Sequence, residues 1–251
     1  MKRRYPFKIA LETLPEILLL LAIVAAVVNV LHTLAVDGYL PQPFLWDTRD
    51  TFMDWYNTAY WANNPGTYSV WRSVYPPISF VLTRMFSTSS CYYTDSLAAR
   101  DCDAVGMTTV IIFYIVGVAL AYLAFRRRDP STAMIRGLAL ALSYPGLFAL
   151  ERGNLIVPCF LFFVLAHGDL LRRRWTRAVA AAMTINLKPY LLLPVLGLAV
   201  QRRWRALELA GLATVGLYLA TLALFGAGTP SEIIDNTSNW ISFTATSFLG
   251  E

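Results

Sequence analysis

Apolar runs of different lengths divide this chain. Residues 15–36, 106–125 and 206–226 are each long enough to cross a bilayer, because a spanning helix needs about 20 apolar residues. The run 76–86 is too short to cross. Pro76 and Pro77 suit the first turn of a helix, so this run predicts a short amphipathic or re-entrant helix. Between Arg136 and Arg172 lie two apolar arms of about 17 residues, roughly 26 Å each, interrupted by Glu151-Arg152-Gly153-Asn154. Between Arg177 and Arg202 the arms shorten to about 10–12 residues, roughly 15–18 Å, around Asn186, Lys188 and Pro189. Arms this short predict broken, re-entrant hairpins over 134–171 and 178–200. Their non-helical tips must be buried in protein or line a wet cavity. A single crossing by 178–200 is the alternative, and it would carry Arg202 to Arg205 to the outer side. The expected fold is all-α: one polytopic transmembrane helical bundle over residues 1–251, with an acidic, aromatic outer loop at 37–105.

Composition agrees with a membrane protein. Of 251 residues, 57% are hydrophobic and 15% charged, against about a quarter charged in soluble domains. The net charge of +5 invites a nucleic-acid reading, but its placement excludes one. Fifteen of the 21 Lys and Arg fall in Lys2–Lys8, Arg126–Arg136, Arg172–Arg177 and Arg202–Arg205. Those clusters flank apolar runs, as cytoplasmic ends do. The acids Asp37, Asp47, Asp50, Asp54, Asp95, Asp101, Asp103, Glu232 and Asp235 lie on the side the arginines avoid. The expected setting is therefore a multi-pass protein of the inner or plasma membrane with a cytoplasmic N-terminus. Glu12 precedes the first apolar run, Glu16 lies at its start, and no small-residue cleavage site follows it, which predicts a signal anchor. Cys91 and Cys102 share an outer polar loop where a disulfide is permitted, whereas Cys159 sits in an apolar run and reads as packing. Cys and His form no metal-type cluster, so neither a metal nor a cofactor is expected.

Six basic residues lie outside the cytoplasmic clusters: Arg49, Arg72, Arg84, Arg100, Arg152 and Lys188. Arg152 and Lys188 occupy hairpin tips, where a charge costs several kcal/mol (roughly 3) unless paired or hydrated. Glu151 is a ready neutralising partner for Arg152. Lys188 has no acidic neighbour in sequence, so either a distant Asp or an anionic ligand, such as a lipid-linked phosphate, is expected beside it. Among the acids Asp54 leads as a general base, because it begins a helical stretch and is held in place. A base must lie within hydrogen-bond reach of the proton it removes. Asp50 lies one turn earlier, and Asp47 is the third choice. Trp55, Tyr60, Trp61, Tyr68 and Trp71 suit either a sugar platform or an interfacial belt.

Asp54, Tyr56 and Ala59, then Tyr75-Pro76-Pro77, then Glu151-Arg152-Gly153-Asn154, then Lys188-Pro189-Tyr190, follow one another across residues 46–200. In that order the chain resembles the GT-C superfamily of membrane glycosyltransferases, and within it family 87, the polyprenyl-phosphate-mannose-dependent mannosyltransferases. The resemblance implies transfer of a hexose from a polyprenyl-phosphate donor to a glycolipid or glycan hydroxyl on the non-cytoplasmic face, with inversion and without a nucleotide sugar. It makes Asp54 the base, with Asp50 in support. It gives Lys188, Arg152, Asn154, Tyr56, Tyr75 and Arg72 to the substrates. Family members are usually much longer, so a piece of a longer enzyme or a reduced homologue is the expectation. The rival class is a transporter or flippase of a lipid-linked or anionic solute, since broken helices with basic tips also suit transport. A third is a non-catalytic subunit of an envelope assembly complex.

Overall fold

A computed structural model describes residues 6–38 and 48–249 of the chain. Asp47, the third carboxylate candidate, lies outside the described residues. Within them every regular element is helical: α1 (Pro6–Asp37), α2 (Met53–Asn63), α3 (Pro77–Met85), α4 (Ser96–Cys102), α5 (Ala104–Arg128), α6 (Ala133–Ala141), α7 (Tyr144–Glu151), α8 (Ile156–His167), α9 (Arg174–Leu187), α10 (Leu192–Val200), α11 (Trp204–Phe225) and α12 (Pro230–Leu249).

Leu14–Asp37 of α1, α5 and α11 are long and apolar enough to cross a membrane. In α1 and α11 only 6% and 11% of the apolar window is buried inside the protein. Side chains such as Leu18, Leu21, Leu212 and Leu219 stand outward, an arrangement suited to lipid and costly in water. The spans match the three long apolar runs of the sequence. α6 and α7 meet at a bend of 42°, where Ser143 ends one helix and caps the next by accepting from Gly146 N–H. α1 docks on α6, joined by Glu16 and Arg136 at 2.8 Å. Arg136 is thus a paired residue as well as part of a basic flank.

Lys188 marks the break between α9 and α10. The residue before a proline is driven to extended backbone, and Lys188 adopts φ −141°, ψ 94°, ending α9. Pro189–Leu191 then make one 3-10 turn before α10. α10 runs back along α9: Val195 shares a buried cluster with Ala180, Ala181 and Ile185. α3 begins at Pro77, as its prolines predict, and it is amphipathic, with Arg84 exposed at its end. It buries Pro77, Ile78, Ser79, Phe80, Leu82 and Thr83 by wedging among α2, α9 and α11.

Part of the aromatic loop is core. Trp55 and Tyr56 are 0% exposed and Tyr68 is 2% exposed. Burying rings of this size contributes about 2–3 kcal/mol each. For these three residues neither a sugar platform nor a lipid-interface belt applies. Trp71, with Tyr60 and Trp61 against it at ring separations of 5.7 and 6.4 Å, is the part of the shelf that remains exposed. Cys91 and Cys102 form a disulfide, and Cys159 is buried with Ile78, Leu82 and Leu187.

Candidate functional site

The site is assembled by the start of α2. Phe52 precedes that helix with φ 62° and offers no side-chain cap, so the first amides of α2 need other acceptors. The 151–152 turn supplies them: Phe52 N–H donates to Glu151 O at 2.8 Å, and Asp54 N–H to Arg152 O at 3.0 Å. Gly153 makes the approach feasible. Its φ of +63° favours glycine, and a Cβ there would meet three atoms of Phe52 at 3.1 Å.

This clamp places side chains as well as backbone. Arg152 donates to Asp54 Oδ1 at 2.7 Å, and Asn154 Nδ2 donates to Asp54 Oδ2 at 2.6 Å. Asn154 is itself oriented, because its Oδ1 accepts from Ile156 N–H at 2.9 Å at the head of α8. Asp50 reaches Arg152 at 4.0 Å and is more exposed. The sequence expectation that Glu151 would neutralise Arg152 is therefore revised: Asp54 takes the guanidinium directly, and Glu151 contributes through its charge. The Asp54 hydrogen bond, followed by the charges of Asp54, Asp50 and Glu151, raises the Arg152 pKa further. The guanidinium stays charged.

Lys188 completes the group from α9. Only 9% of the residue is exposed, and its ammonium lies 5.1 Å from the Tyr75 ring centre, a favourable but modest cation–π distance. Among the described residues it makes no hydrogen bond or ion pair within 4.0 Å, and Asp54 is the carboxylate that acts on it electrostatically. Burial pushes the Tyr75 phenol up, the Asp54 charge adds to this, and Arg152 opposes it. Tyr75 thus stands beside both Asp54 and Lys188. The neighbouring Tyr75 carbonyl is occupied, accepting from Tyr68 Oη at 3.0 Å.

Two candidates fall outside the group. Tyr56 is buried, and its hydroxyl donates to Asp103 O while accepting from Met107 N–H at 3.1 Å. Its role here is to tie α2 to α5, and burial, with the Asp103 charge second, pushes the phenol up to about 12. Arg72 is exposed, at φ 47°, and joins none of the Asp54 contacts. The chain order alone gave Tyr56 no mark to distinguish it from Tyr75.

One carboxylate was missed as a structural centre. Asp103 is 0% exposed and accepts from Thr88 N–H (3.2 Å), Thr88 Oγ1 (3.0 Å), Tyr92 Oη (2.8 Å) and Val105 N–H (3.1 Å). Its sequence signal was modest: an Asp directly before the apolar run of α5, where a helix cap belongs. Among the described residues no group of three or more His, Cys, Asp and Glu is arranged to hold a metal.

Arg152, Asn154 and Asp54 form a polarised, partly open centre. Its carboxylate is held by two donors, and a second cation, Lys188, lies over the Tyr75 ring within the field of Asp54. Such a centre can orient a hydroxyl at the carboxylate and hold an anion at the ammonium. Compared with protein-family models, curated proteins and solved structures, the chain finds no match, and the chemistry of this centre is judged on its geometry.

Proposed function

We propose that the chain is a membrane glycosyltransferase that moves a hexose from a polyprenyl-phosphate sugar to an acceptor hydroxyl at the acidic end of the bundle. The observation that carries this is the meeting of Asp54, Arg152, Asn154 and Lys188, contributed by three distant segments, in one half-open group. In this reading the acceptor hydroxyl gives its proton to Asp54 while its oxygen attacks the anomeric carbon from the face opposite the phosphate. The bond from that carbon to the phosphate oxygen breaks, and the lipid phosphate leaves with the electron pair. Lys188 meets the charge that develops there, the kind of preset electrostatic stabilisation that is largest in a water-poor site. Arg152 and Asn154 orient the base. This shifts the emphasis of the sequence reading, in which Arg152 also held the donor.

The same reading gives the short helices a purpose. α8 has 12 residues, about 18 Å, and α9 has 14, about 21 Å. Both fall short of the roughly 30 Å hydrocarbon thickness. Re-entrant hairpins would carry Arg152 and Lys188 towards the outer face of the plasma or inner membrane. Supply of the base by the acidic, aromatic loop segment rather than by a hairpin tip favours transfer at one face over transport, whose key charges belong near the midplane.

The test uses the purified protein in bilayers, polyprenyl-phosphate radiolabelled mannose and a glycolipid extract as acceptor. Label is expected to move to the acceptor, and Lys188→Ala should raise the donor KM about tenfold, the scale of one charge-assisted contact of about 1.4 kcal/mol. Label that stays on the donor with every acceptor fraction would reject the enzyme reading. An unchanged donor KM in Lys188→Ala would reject the phosphate contact.

A further inference from the structure

The opposite, basic end of the bundle encloses a cavity that the Asp54 group does not use. Its volume is about 720 Å³, and it lies between the end of α8, the first turns of α9, α10 and the start of α11. α8 runs from the Asp54 group at Ile156 to this cavity at His167, and α9 runs back from it at Arg174 to Lys188, so the two sites are a helix length apart. The floor is made of methyl-sized side chains, including Ala178, Ala181, Ala206 and Ala210, which leave space between the helices. Pro194, Val195 and Leu198 form an apolar wall.

Six arginines line the space, against a single carboxylate, Asp169. That carboxylate is already shared, with Arg128 at 3.0 Å and Arg177 at 3.1 Å. Arg174, Arg202, Arg203 and Arg205 make no side-chain ion pair or hydrogen bond among the described residues. Three of these cations come from one tight turn, in which Arg202 sits at φ 55° and Arg203 N–H returns to Leu198 O at 2.8 Å. Topogenic charge need only be somewhere on the flank. Here it converges on one cavity. Arg203 also offers no side-chain cap to α11, so free first-turn amides add to the positive field.

The rim indicates the rest of the ligand. Trp204 lines the cavity and is 58% exposed, and α10, which supplies the apolar wall, also turns Val200 (86%) and Leu196 (44%) outward. An anion alone would gain nothing from that apolar edge. We infer that the cavity is a binding site for an anionic phospholipid, with its phosphate held by Arg174, Arg202, Arg203 and Arg205 and its glycerol and upper acyl carbons against the alanine floor and α10. The inference is independent of the transferase reading.

Trp204 provides the readout in the full-length protein in neutral detergent. Brominated phosphatidylglycerol is expected to quench its fluorescence saturably, assigned by difference from Trp204→Phe, with brominated phosphatidylcholine at least tenfold weaker. Arg202→Gln/Arg203→Gln should weaken phosphatidylglycerol at least tenfold. Arg126→Gln/Arg172→Gln, which removes equal charge from the same flank outside the cavity, should change it less than twofold. Ala206→Leu fills the floor without touching charge, and should also weaken binding if the arginine pair fails to insert. Equal quenching by both lipids, or equal loss in both arginine pairs, would overturn the site. Displacement by millimolar inorganic phosphate would overturn the lipid in favour of a free anion.

Discussion

Asp54 and Asp103 are both aspartates near the start of a helix in the same outer region, yet their surroundings are opposite. A carboxylate offers about four lone-pair positions. Asp103 fills all four with neutral donors from Thr88, Tyr92 and Val105, in full burial. Asp54 fills two, with a guanidinium and an amide, and its side chain keeps 19% of its exposure. The saturated centre has no capacity left for a substrate; it can only hold α5, the 88–92 turn and α2 together. The unsaturated one keeps unfilled acceptor positions, and its charge acts on a second cation, Lys188. Position before a helix does not separate a saturated aspartate from an unsaturated one; the count of donors around it does.

The largest expected effect that could break this comparison is at Asp54. Asp54→Asn should lower sugar transfer about 10²–10⁴-fold, the usual worth of a positioned base, while the melting temperature moves little. Loss of folding in that variant, measured by a thermal melt, would make Asp54 structural too. Asp103→Ala should do the reverse. It strands buried donors, each costing about 1–3 kcal/mol, so a loss of 3 kcal/mol or more is expected in denaturant titration. A stable Asp103→Ala protein would remove its assigned role. Gly153→Ala tests the clamp between the two regions. The left-handed φ and the 3.1 Å approach to Phe52 predict a cost of about 1–2 kcal/mol and a fall of about tenfold in transfer, because Arg152 and Asn154 move with the turn.

The smallest effect is on pH. Burial, with Asp103 second, holds the Tyr56 phenol at about 12, and burial then the Asp103 hydrogen bond push the Tyr92 phenol higher still. A folded-state pKa above the ordinary tyrosine value of about 10 means stability is complete below pH 10 and is lost as pH rises through the folded values. Tyrosinate absorbance should therefore lag behind free tyrosine between pH 10 and 12, followed by loss of the outer region. Tyr92→Phe should reduce that alkaline sensitivity. Ordinary titration of both phenols near pH 10 would show that the Asp103 centre is open.

The spans, the helix start at Pro77 and the chain breaks at 151–154 and Lys188-Pro189 were legible because they are local. Run length, proline geometry and a polar interruption each act within a few residues. The place of Asp54 in the first turn of a helix was also legible. The aromatic shelf was not. Trp55 and Tyr56 carry the same sequence signal as Trp61 and Trp71, and only packing against α5, the 88–92 turn and Leu155 makes them core. Glu151 was the obvious partner of Arg152 by adjacency, but consecutive residues point in different directions, and the guanidinium goes to Asp54, 98 residues earlier.

By itself the sequence determined an all-helical chain with three helices long and apolar enough to cross a membrane and with basic clusters flanking its apolar runs, because hydrophobic length and charge placement are additive along the chain. Only the tertiary structure decided which charges meet. Pairing of Asp54 with Arg152 and Asn154, saturation of Asp103 and placement of Lys188 over Tyr75 depend on distances of 2.6–5.1 Å between separate segments, and convergence of arginines on the basic cavity depends on the same packing. Such distances are set by how the α2, α5, α8, α9 and α11 surfaces fit together, and no local pattern encodes that fit.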